Sequence, residues 1–156
     1  MTGHPENVTE FERARLAEAI GRAISARSET GKSGIAAAVL RDGRVVAEAE
    51  NEVHLQSDPT RHAEMVAIHR AAQALDTTDL SGCVLISTLQ PCEMCLSAMR
   101  FAGIDRVIFA ATKANVALKY FAFPHLEIED FQRGDFVAIG GVDEHRILHL
   151  YAHGTE

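Results

Sequence analysis

Apolar residues recur at three- and four-residue spacing between Thr9 and about Arg27, with Glu and Arg residues between them. This spacing places the apolar side chains on one face of an amphipathic helix. Thr9 is followed three residues later by Glu12, a capping-box pattern that supports the start of the helix. The apolar face consists of Phe11, Leu16, Ala17, Ile20, Ala23 and Ile24.

The next segment predicts a β-hairpin followed by a second helix. Ile35–Leu40 is a short apolar run, Asp42-Gly43 is a tight-turn signal, and Val45–Glu50 alternates less regularly. After a break that contains a proline, Arg61–Leu75 carries apolar residues with helical periodicity. This second helix is predicted to hold His62 in its first turn.

The centre of the chain predicts a strand, a helix and another strand. Cys83–Thr88 is an apolar run typical of a strand. Pro91 is predicted at the first position of a helix that runs to about Ala102, because proline suits that position. Arg106–Ala111 is a fourth strand, and Asn115–Tyr120 predicts a short helix.

Two later apolar runs, Phe136–Ile139 and Ile147–Tyr151, fit either strands or part of a C-terminal helix, and we favour a strand for the first. The order helix, strand, strand, helix, strand, helix, strand predicts an α/β fold in which helices pack on a central sheet.

Composition limits the function classes. The 156 residues include 47% hydrophobic and 24% charged residues, which suits one globular domain over residues 1–156. The net charge of −7 argues against nucleic acid as the main partner. No apolar stretch is long enough for a membrane span or typical of a signal peptide, so we expect a cytoplasmic protein.

Two short motifs carry the candidate chemistry: His62-Ala63-Glu64 and Pro91-Cys92-Glu93-Met94-Cys95. Both lie where predicted helices begin after sheet elements, so a shared sheet could bring them to one point. His62, Cys92 and Cys95 would then supply three zinc ligands. Catalytic zinc sites use three protein ligands, whereas structural sites are closed by four.

Glu64 is the candidate proton carrier beside this metal. Zinc lowers the pKa of a coordinated water, and hydrolysis of an amidine needs a carboxylate that moves protons to the ring nitrogen and the departing amino group. The pairing of H-x-E with P-C-x-x-C is the signature of zinc deaminases. Cys83, the third cysteine, is interpreted as a core residue of a strand, and Glu93 as a solvated helix residue.

Through these two motifs the chain resembles the cytidine and deoxycytidylate deaminase-like superfamily. The resemblance implies a three-layer α/β/α domain with a mixed sheet of about five strands, one zinc ion per subunit, and a homodimer or higher oligomer. Residues from about 120 to 156 would pack at the subunit interface or be exchanged. The branch most similar is that of bacterial guanine deaminases and yeast-type cytosine deaminases, which act on free bases.

The candidate substrate contacts depend partly on this resemblance. Asn51 would hydrogen-bond the base, since an amide offers both donor and acceptor groups. Ala63 and Pro91, beside the zinc ligands, are further candidate contacts. Where guanine deaminases of this type carry an aspartate pair, the chain instead has residues 118–124, whose aromatic side chains could line a pocket for a flat ring, in this subunit or a neighbouring one. These are Tyr120, Phe121 and Phe123.

We therefore predict hydrolytic release of ammonia from a free base, with guanine as the first candidate and cytosine or an aminotriazine such as ammeline next. The alternatives are a tRNA-specific adenosine deaminase, which shares both motifs, and a zinc-binding module without catalysis. A thioredoxin-type redox pair is disfavoured by the paired His-x-Glu. His145, His149 and His153 repeat every four residues and would form a metal stripe on a helix, but their stretch also fits a strand with exposed imidazoles.

Overall fold

The computed structural model describes residues 3–156, so the predicted domain start at residue 1 lies outside the described part. Its strands are β1 (Ser33–Arg41), β2 (Arg44–Asn51), β3 (Val84–Leu89), β4 (Arg106–Ala111) and β5 (Val137–Ile139). Its α-helices are α1 (Glu10–Ala26), α2 (Val53–Gln56), α3 (Ala63–Leu75), α4 (Glu93–Ala102) and α5 (Leu148–Tyr151). Short 3₁₀ turns fill several of the connections.

The five strands form one mixed sheet in the order β2-β1-β3-β4-β5. β1 pairs antiparallel with β2 and β3, whereas β3, β4 and β5 run parallel. Residues 34–40 of β1 are all buried, so both faces of this strand are covered. Helix α1 packs on β1 and β3, and α3 packs on β1 and β2. The predicted α/β/α architecture is confirmed.

The first helix and the hairpin form as the sequence predicts. Thr9 caps α1, its hydroxyl accepting from the Glu12 backbone N–H at 3.0 Å while the Glu12 carboxylate accepts from the Thr9 N–H at 2.9 Å. Asp42 and Gly43 have φ values of 50° and 72° and close the turn between β1 and β2. Two residues with positive φ give the turn the twist that a tight hairpin needs.

Several predicted elements differ from the structure. Asn115–Tyr120 is not one helix but parts of two 3₁₀ turns, Lys113–Asn115 and Leu118–Tyr120. Of the two alternatives left open for Ile147–Tyr151, the structure has the helix: Ile147 caps α5, whereas Phe136–Ile139 contains β5 as favoured. A long-range contact interrupts the predicted helix Asn115–Tyr120: the backbone N–H of Ala117, between the two turns, donates to the Tyr151 carbonyl.

Cys83 lies in the core as predicted, with 1% of its surface exposed. Within residues 3–156, no helix combines the length and the apolar character needed to cross a membrane.

Candidate metal centre and substrate cavity

His62 stands at the entrance to α3, as its N-cap residue and not in its first turn as predicted. The turn before it is organised by Asp58, whose carboxylate accepts from the Thr60 N–H and hydroxyl and from the Arg61 Nε. This network also lowers the pKa of Asp58, mainly through the Thr60 hydroxyl. The polar turn therefore fixes the direction in which His62 enters the helix.

Cys92 and Cys95 are held at the start of α4. Cys92 is the N-cap residue, so Pro91 lies one residue before the cap and not at the first helical position. The backbone N–H of Gln90 donates to the Ala111 carbonyl at 2.8 Å, which ties the end of β3 to the end of β4. Because the backbone at this junction is extended, the helix begins only after Cys92.

The three candidate ligand atoms converge. Cys92 Sγ lies 3.5 Å from His62 Nδ1 and 3.7 Å from Cys95 Sγ, and Cys95 Sγ lies 3.8 Å from His62 Nδ1. Tetrahedral zinc at about 2.3 Å from sulfur and 2.0–2.1 Å from nitrogen requires sulfur–sulfur and sulfur–nitrogen separations of about 3.8 and 3.5 Å. The spacing of these atoms therefore fits a zinc ion.

The charges of the group also favour a cation. The hydrogen bond between Cys92 and Cys95, together with the neighbouring His62 and opposed by burial, lowers the pKa of Cys92 to about 4. The hydrogen bond with Cys92 and burial raise the pKa of Cys95. Contact with Cys92 raises the pKa of His62. Metal binding would displace the protons that these groups hold.

Glu64 lies beside the ligand atoms without being one of them. Within residues 3–156, the group of His, Cys, Asp and Glu atoms close enough to hold one ion consists of His62, Cys92 and Cys95. Glu64 is 4% exposed and lines the same cavity. Burial, followed by the charge on Cys92, raises its pKa to about 7. A buried carboxylate that is not a ligand is what proton transfer at this site requires.

The cavity next to these residues has a volume of about 200 Å³. His62, Cys92 and Glu64 form one part of its lining. Other lining residues come from β1, from the start of α2, from the turn Leu118–Tyr120 and from the segment after α5. The remaining lining residues are Ser33, Ile35, Asn51, Val53, His54, Leu89, Gln90, Lys119, Tyr120 and Glu156. The cavity is therefore mixed in polarity and opens directly onto the candidate metal centre.

Asn51 lines this cavity at the end of β2. Its Oδ1 accepts from the Val53 backbone N–H at 3.1 Å, which fixes the orientation of the amide and leaves Nδ2 as a donor. Ala63 and Pro91 are buried beside the ligands and are not among the lining residues. Their predicted contact with substrate thus stays a prediction.

The three aromatic residues predicted to line a pocket lie in three different environments. Tyr120 lines the cavity, whereas Phe121 is buried with the Lys113 ammonium 5.8 Å from its ring centre, and Phe123 is 53% exposed. Phe121 and Phe123 are not among the residues that line this cavity. The contact of the three aromatic residues with a substrate, in this subunit or a neighbouring one, therefore stays a prediction.

Glu93 is buried and not solvated as predicted. It is 8% exposed, its Oε1 accepts from the Phe123 backbone N–H, and its Oε2 has no hydrogen-bond partner among the described residues. Segment 121–124 covers the start of α4, which removes Glu93 from solvent. His145, His149 and His153 are exposed and belong to no candidate metal group of the described residues.

Lys119 and Glu156 were missed by the sequence reasoning. Lys119 Nζ lies 3.2 Å from Glu156 Oε1, and Tyr120 donates its hydroxyl hydrogen to Glu156 Oε2 at 2.5 Å. No local motif marks either residue, since the two meet only through the packing of the segment after α5 on the turn Leu118–Tyr120. His54, in α2, also lines the cavity and was not singled out by any motif.

Comparisons with known proteins agree with this geometry. The family profile described as the cytidine and deoxycytidylate deaminase zinc-binding region matches residues 10–111. A guanine deaminase of Bacillus subtilis is 35% identical over 114 residues, covering 69% of this chain and 73% of that protein. A tRNA-specific adenosine deaminase of Aquifex aeolicus is 42% identical over 83 residues, covering 53% and 55%. The chain thus matches about half the length of this adenosine deaminase.

Solved structures share the fold. A guanine deaminase from Nitrosomonas europaea superposes with a TM-score of 0.79 at 22% identity, over 96% of this chain and 92% of that chain. A structure in complex with 2,6-diaminopurine gives a TM-score of 0.80 at 22% identity, over 96% and 89%. Another solved structure with this fold is a complex with 8-azaguanine. The predicted cytidine deaminase-like architecture is confirmed by this likeness.

Proposed function

We propose that this chain, which belongs to the cytidine and deoxycytidylate deaminase family, is a zinc-dependent hydrolytic deaminase of a free nucleobase, with guanine as its first candidate substrate. The observation that carries the proposal is the convergence of His62, Cys92 and Cys95 on one point beside the buried carboxylate of Glu64. Three protein ligands leave a coordination position open, as catalytic zinc sites do.

When bound, zinc supplies Lewis acidity that brings the pKa of water from about 15.7 toward 7. Glu64 accepts one proton from water as its oxygen bonds to the amidine carbon, and passes this proton to the ring nitrogen. It then takes the second proton from the new hydroxyl group on that carbon and passes it to the amino group. The C–N bond breaks as the carbonyl forms. Water supplies the new oxygen, so the products are the keto base and ammonia. Burial of Glu64 keeps its carboxylate from exchanging protons with bulk solvent during this sequence.

Asn51 would orient the substrate. Since its Oδ1 is engaged by the Val53 N–H, the free Nδ2 can donate to a carbonyl oxygen or a ring nitrogen of the base. Guanine carries both kinds of acceptor. A rigidly held amide at the cavity wall is well suited to positioning the reacting carbon.

The charges of the cavity favour a neutral base over a nucleotide. Lys119 is the one lining lysine or arginine among the described residues, and its ammonium is engaged by Glu156 and by the Gly154 carbonyl. No cluster of free cations remains there for a phosphate. The B. subtilis relative is a guanine deaminase, and related structures contain purine bases, which supports a purine substrate.

A tRNA-specific adenosine deaminase is the second candidate, favoured by the 42% identity to the A. aeolicus protein. The net charge of −7 weighs against it, because anticodon-arm binding relies on cations that meet the phosphates. A purely structural zinc module is disfavoured by the three-ligand group and by the cavity beside it.

We also propose one domain over residues 1–156 and a homodimer. The exposure of large apolar side chains supports an interface: Phe101 is 92% exposed on α4, and Leu118 and Phe123 are 60% and 53% exposed. Multi-angle light scattering would give twice the chain mass, and a monomer at micromolar concentration would contradict the dimer.

The experiment that tests the function is an ammonia-release screen of the zinc-loaded protein. The substrates are guanine, adenine, cytosine, ammeline, guanosine, guanosine monophosphate and a tRNA anticodon arm. We expect release from guanine. Release from the anticodon arm alone would establish the second candidate, and no release from any compound would overturn the proposal.

A further inference from the structure

We propose that Glu156 is a specificity-determining residue that selects bases with an N–H group at the ring edge farthest from the metal ligands, and thereby free bases over nucleosides. The inference rests on the proposed function and deepens it. It concerns the wall of the cavity formed by Lys119, Tyr120 and Glu156, hereafter the distal wall.

The distal wall belongs to different elements from the candidate metal centre. Lys119 and Tyr120 lie in the 3₁₀ turn Leu118–Tyr120, and Glu156 lies after α5, whereas His62 and Glu64 belong to the start of α3. The two carboxylates, Glu64 and Glu156, line the same cavity although their elements are far apart in the chain. A flat ring bound there would present its reacting amidine to Glu64 and another edge to Glu156.

Packing fixes Glu156 in this position. Helix α5 is tied to the sheet by Tyr151, whose hydroxyl donates to the Gly34 carbonyl and accepts from the Thr88 hydroxyl, each at 2.7 Å. The Thr155 carbonyl accepts from Arg27 Nε at 2.7 Å, and the Thr155 N–H donates to the Leu150 carbonyl at 2.8 Å. The residue before Glu156 is thus held at both of its backbone polar groups.

The carboxylate of Glu156 is engaged but not saturated. Lys119 approaches Oε1 at 3.2 Å and the Tyr120 hydroxyl donates to Oε2 at 2.5 Å. Burial and the adjacent Glu156 raise the pKa of Tyr120, so this hydroxyl keeps its proton and remains a donor. A carboxylate has about four lone-pair directions, and two are left to accept from a ligand.

The distal wall therefore presents an acceptor to the cavity and not a free cation. Lys119 donates to both Glu156 and the Gly154 carbonyl, and Glu156 is only 13% exposed. The complementary group on a substrate is an N–H donor. In a purine deaminated at C2, the imidazole N–H lies at the opposite end of the ring system from the reacting amidine.

A nucleoside lacks this donor, because the sugar replaces the hydrogen on the glycosidic nitrogen. It would offer no donor to the remaining lone pairs of the Glu156 carboxylate and would place bulk against the distal wall. Sites built to hydrogen-bond a substrate N–H or O–H reject analogues without it by as much as about 10⁴–10⁵-fold. Glu156 thus has the chemistry to distinguish free base from nucleoside.

The test compares guanine with 9-methylguanine, which lacks the N9 hydrogen but adds little bulk, and with guanosine. For the zinc-loaded wild-type chain we expect kcat/KM for guanine to exceed that for 9-methylguanine by at least about 10²-fold. In Glu156→Ala, KM for guanine should rise by about 10²-fold, while kcat/KM for 9-methylguanine changes less than about threefold. Glu156→Gln keeps one acceptor oxygen and should fall between the two.

Glu18→Ala is the matched control, because Glu18 pairs with Arg15 on the surface of α1, and it should match wild type. Zinc content and melting temperature should be unchanged in all variants. Equal turnover of guanine and 9-methylguanine by wild type, or an equal loss for both in Glu156→Ala, would overturn this inference and leave the deaminase intact. Absence of ammonia release from every free base would overturn the proposed function itself.

Discussion

His62 Nδ1 lies 3.5 Å from Cys92 Sγ, although 30 residues separate the two in the chain. Each residue is the N-cap of a helix that follows a strand, His62 after β2 and the α2 turn and Cys92 after β3. β1 lies between β2 and β3 and is antiparallel to both, so β2 and β3 finish at the same end of the sheet, where the two helices begin. The metal centre is therefore a product of sheet order and of where each helix begins.

Removal of one ligand should strongly weaken zinc binding. Cys95→Ser replaces a fully buried sulfur, and we expect the affinity for zinc to fall by at least about 100-fold, with loss of ammonia release. Metal stoichiometry and a chelator competition measure this. Cys83→Ala is the control, since Cys83 is equally buried but lies outside the ligand group, and it should retain zinc. Full zinc occupancy in Cys95→Ser would show that the metal is held elsewhere.

Glu64→Gln should separate metal binding from catalysis. The amide is nearly isosteric but cannot accept the proton from water, so kcat should fall by about 10³-fold while zinc content is unchanged. Steady-state ammonia release together with metal analysis tests this. Glu18→Gln removes an exposed carboxylate on α1 and should have wild-type kcat. A zinc-loaded Glu64→Gln variant with wild-type kcat would exclude Glu64 as the proton carrier.

Asn51→Asp tests the donor that is proposed to orient the base. The carboxylate still accepts from the Val53 N–H, so the local turn is preserved, but the donor Nδ2 is lost. We expect kcat/KM for guanine to fall by about 10²-fold or more, because an acceptor on the substrate would then face a second acceptor. Unaltered kcat/KM in a correctly folded Asn51→Asp variant would remove Asn51 from the substrate contacts.

Local sequence was sufficient for the elements that carry the metal ligands. The capping pair Thr9 and Glu12, the turn at Asp42-Gly43 and the two deaminase motifs each depend on residues close in sequence, and each forms as predicted. Local patterns did not predict the exact residue at which each of the two helices begins. His62 and Cys92 precede their helices because the backbone there is still extended, with ψ values of 153° and 176°.

The distal part of the site could not be predicted, because its contacts are long-range. Glu156 meets Tyr120 across 36 positions, and Glu93 is buried by the backbone of Phe123, 30 positions away. A glutamate in the first turn of a helix is typical of a solvated residue that favours the helix dipole. Only the fold of segment 121–124 over α4 reverses that expectation.

Acid should weaken the contact of Glu12 with Arg106. Burial raises the pKa of Glu12, but Arg106 and the Thr9 N–H outweigh it and lower the pKa below 4.5. Arg106 lies 2.8 Å from the carboxylate. Because the folded-state pKa is depressed, this stabilisation is present above the unfolded pKa and is lost as pH falls through the folded value.

The corresponding measurement is urea unfolding of wild type and Glu12→Gln. At about pH 7 the variant should be less stable by about 1–2 kcal/mol, and the difference should shrink toward pH 3. Glu18→Gln, on the exposed face of the same helix, should differ little from wild type at either pH. A Glu12→Gln difference that is constant across this range would show that the charge of Glu12 is not responsible.

Gly154→Ala tests whether the distal wall depends on the close approach of Lys119 to the backbone. Gly154 has φ +70°, and an added Cβ would lie 2.6 Å from Lys119 Cε, so the lysine side chain, which pairs with Glu156, must shift. Gly43→Ala is the matched control, because Gly43 has φ +72° and nothing within 4 Å of the added Cβ.

The free energy of unfolding of both variants should fall by about 1 kcal/mol through backbone strain. Only Gly154→Ala should raise KM for guanine, by about tenfold, since only there is the Lys119–Glu156 pair displaced. Equal KM values in the two variants would show that the position of Lys119 does not affect recognition of the base.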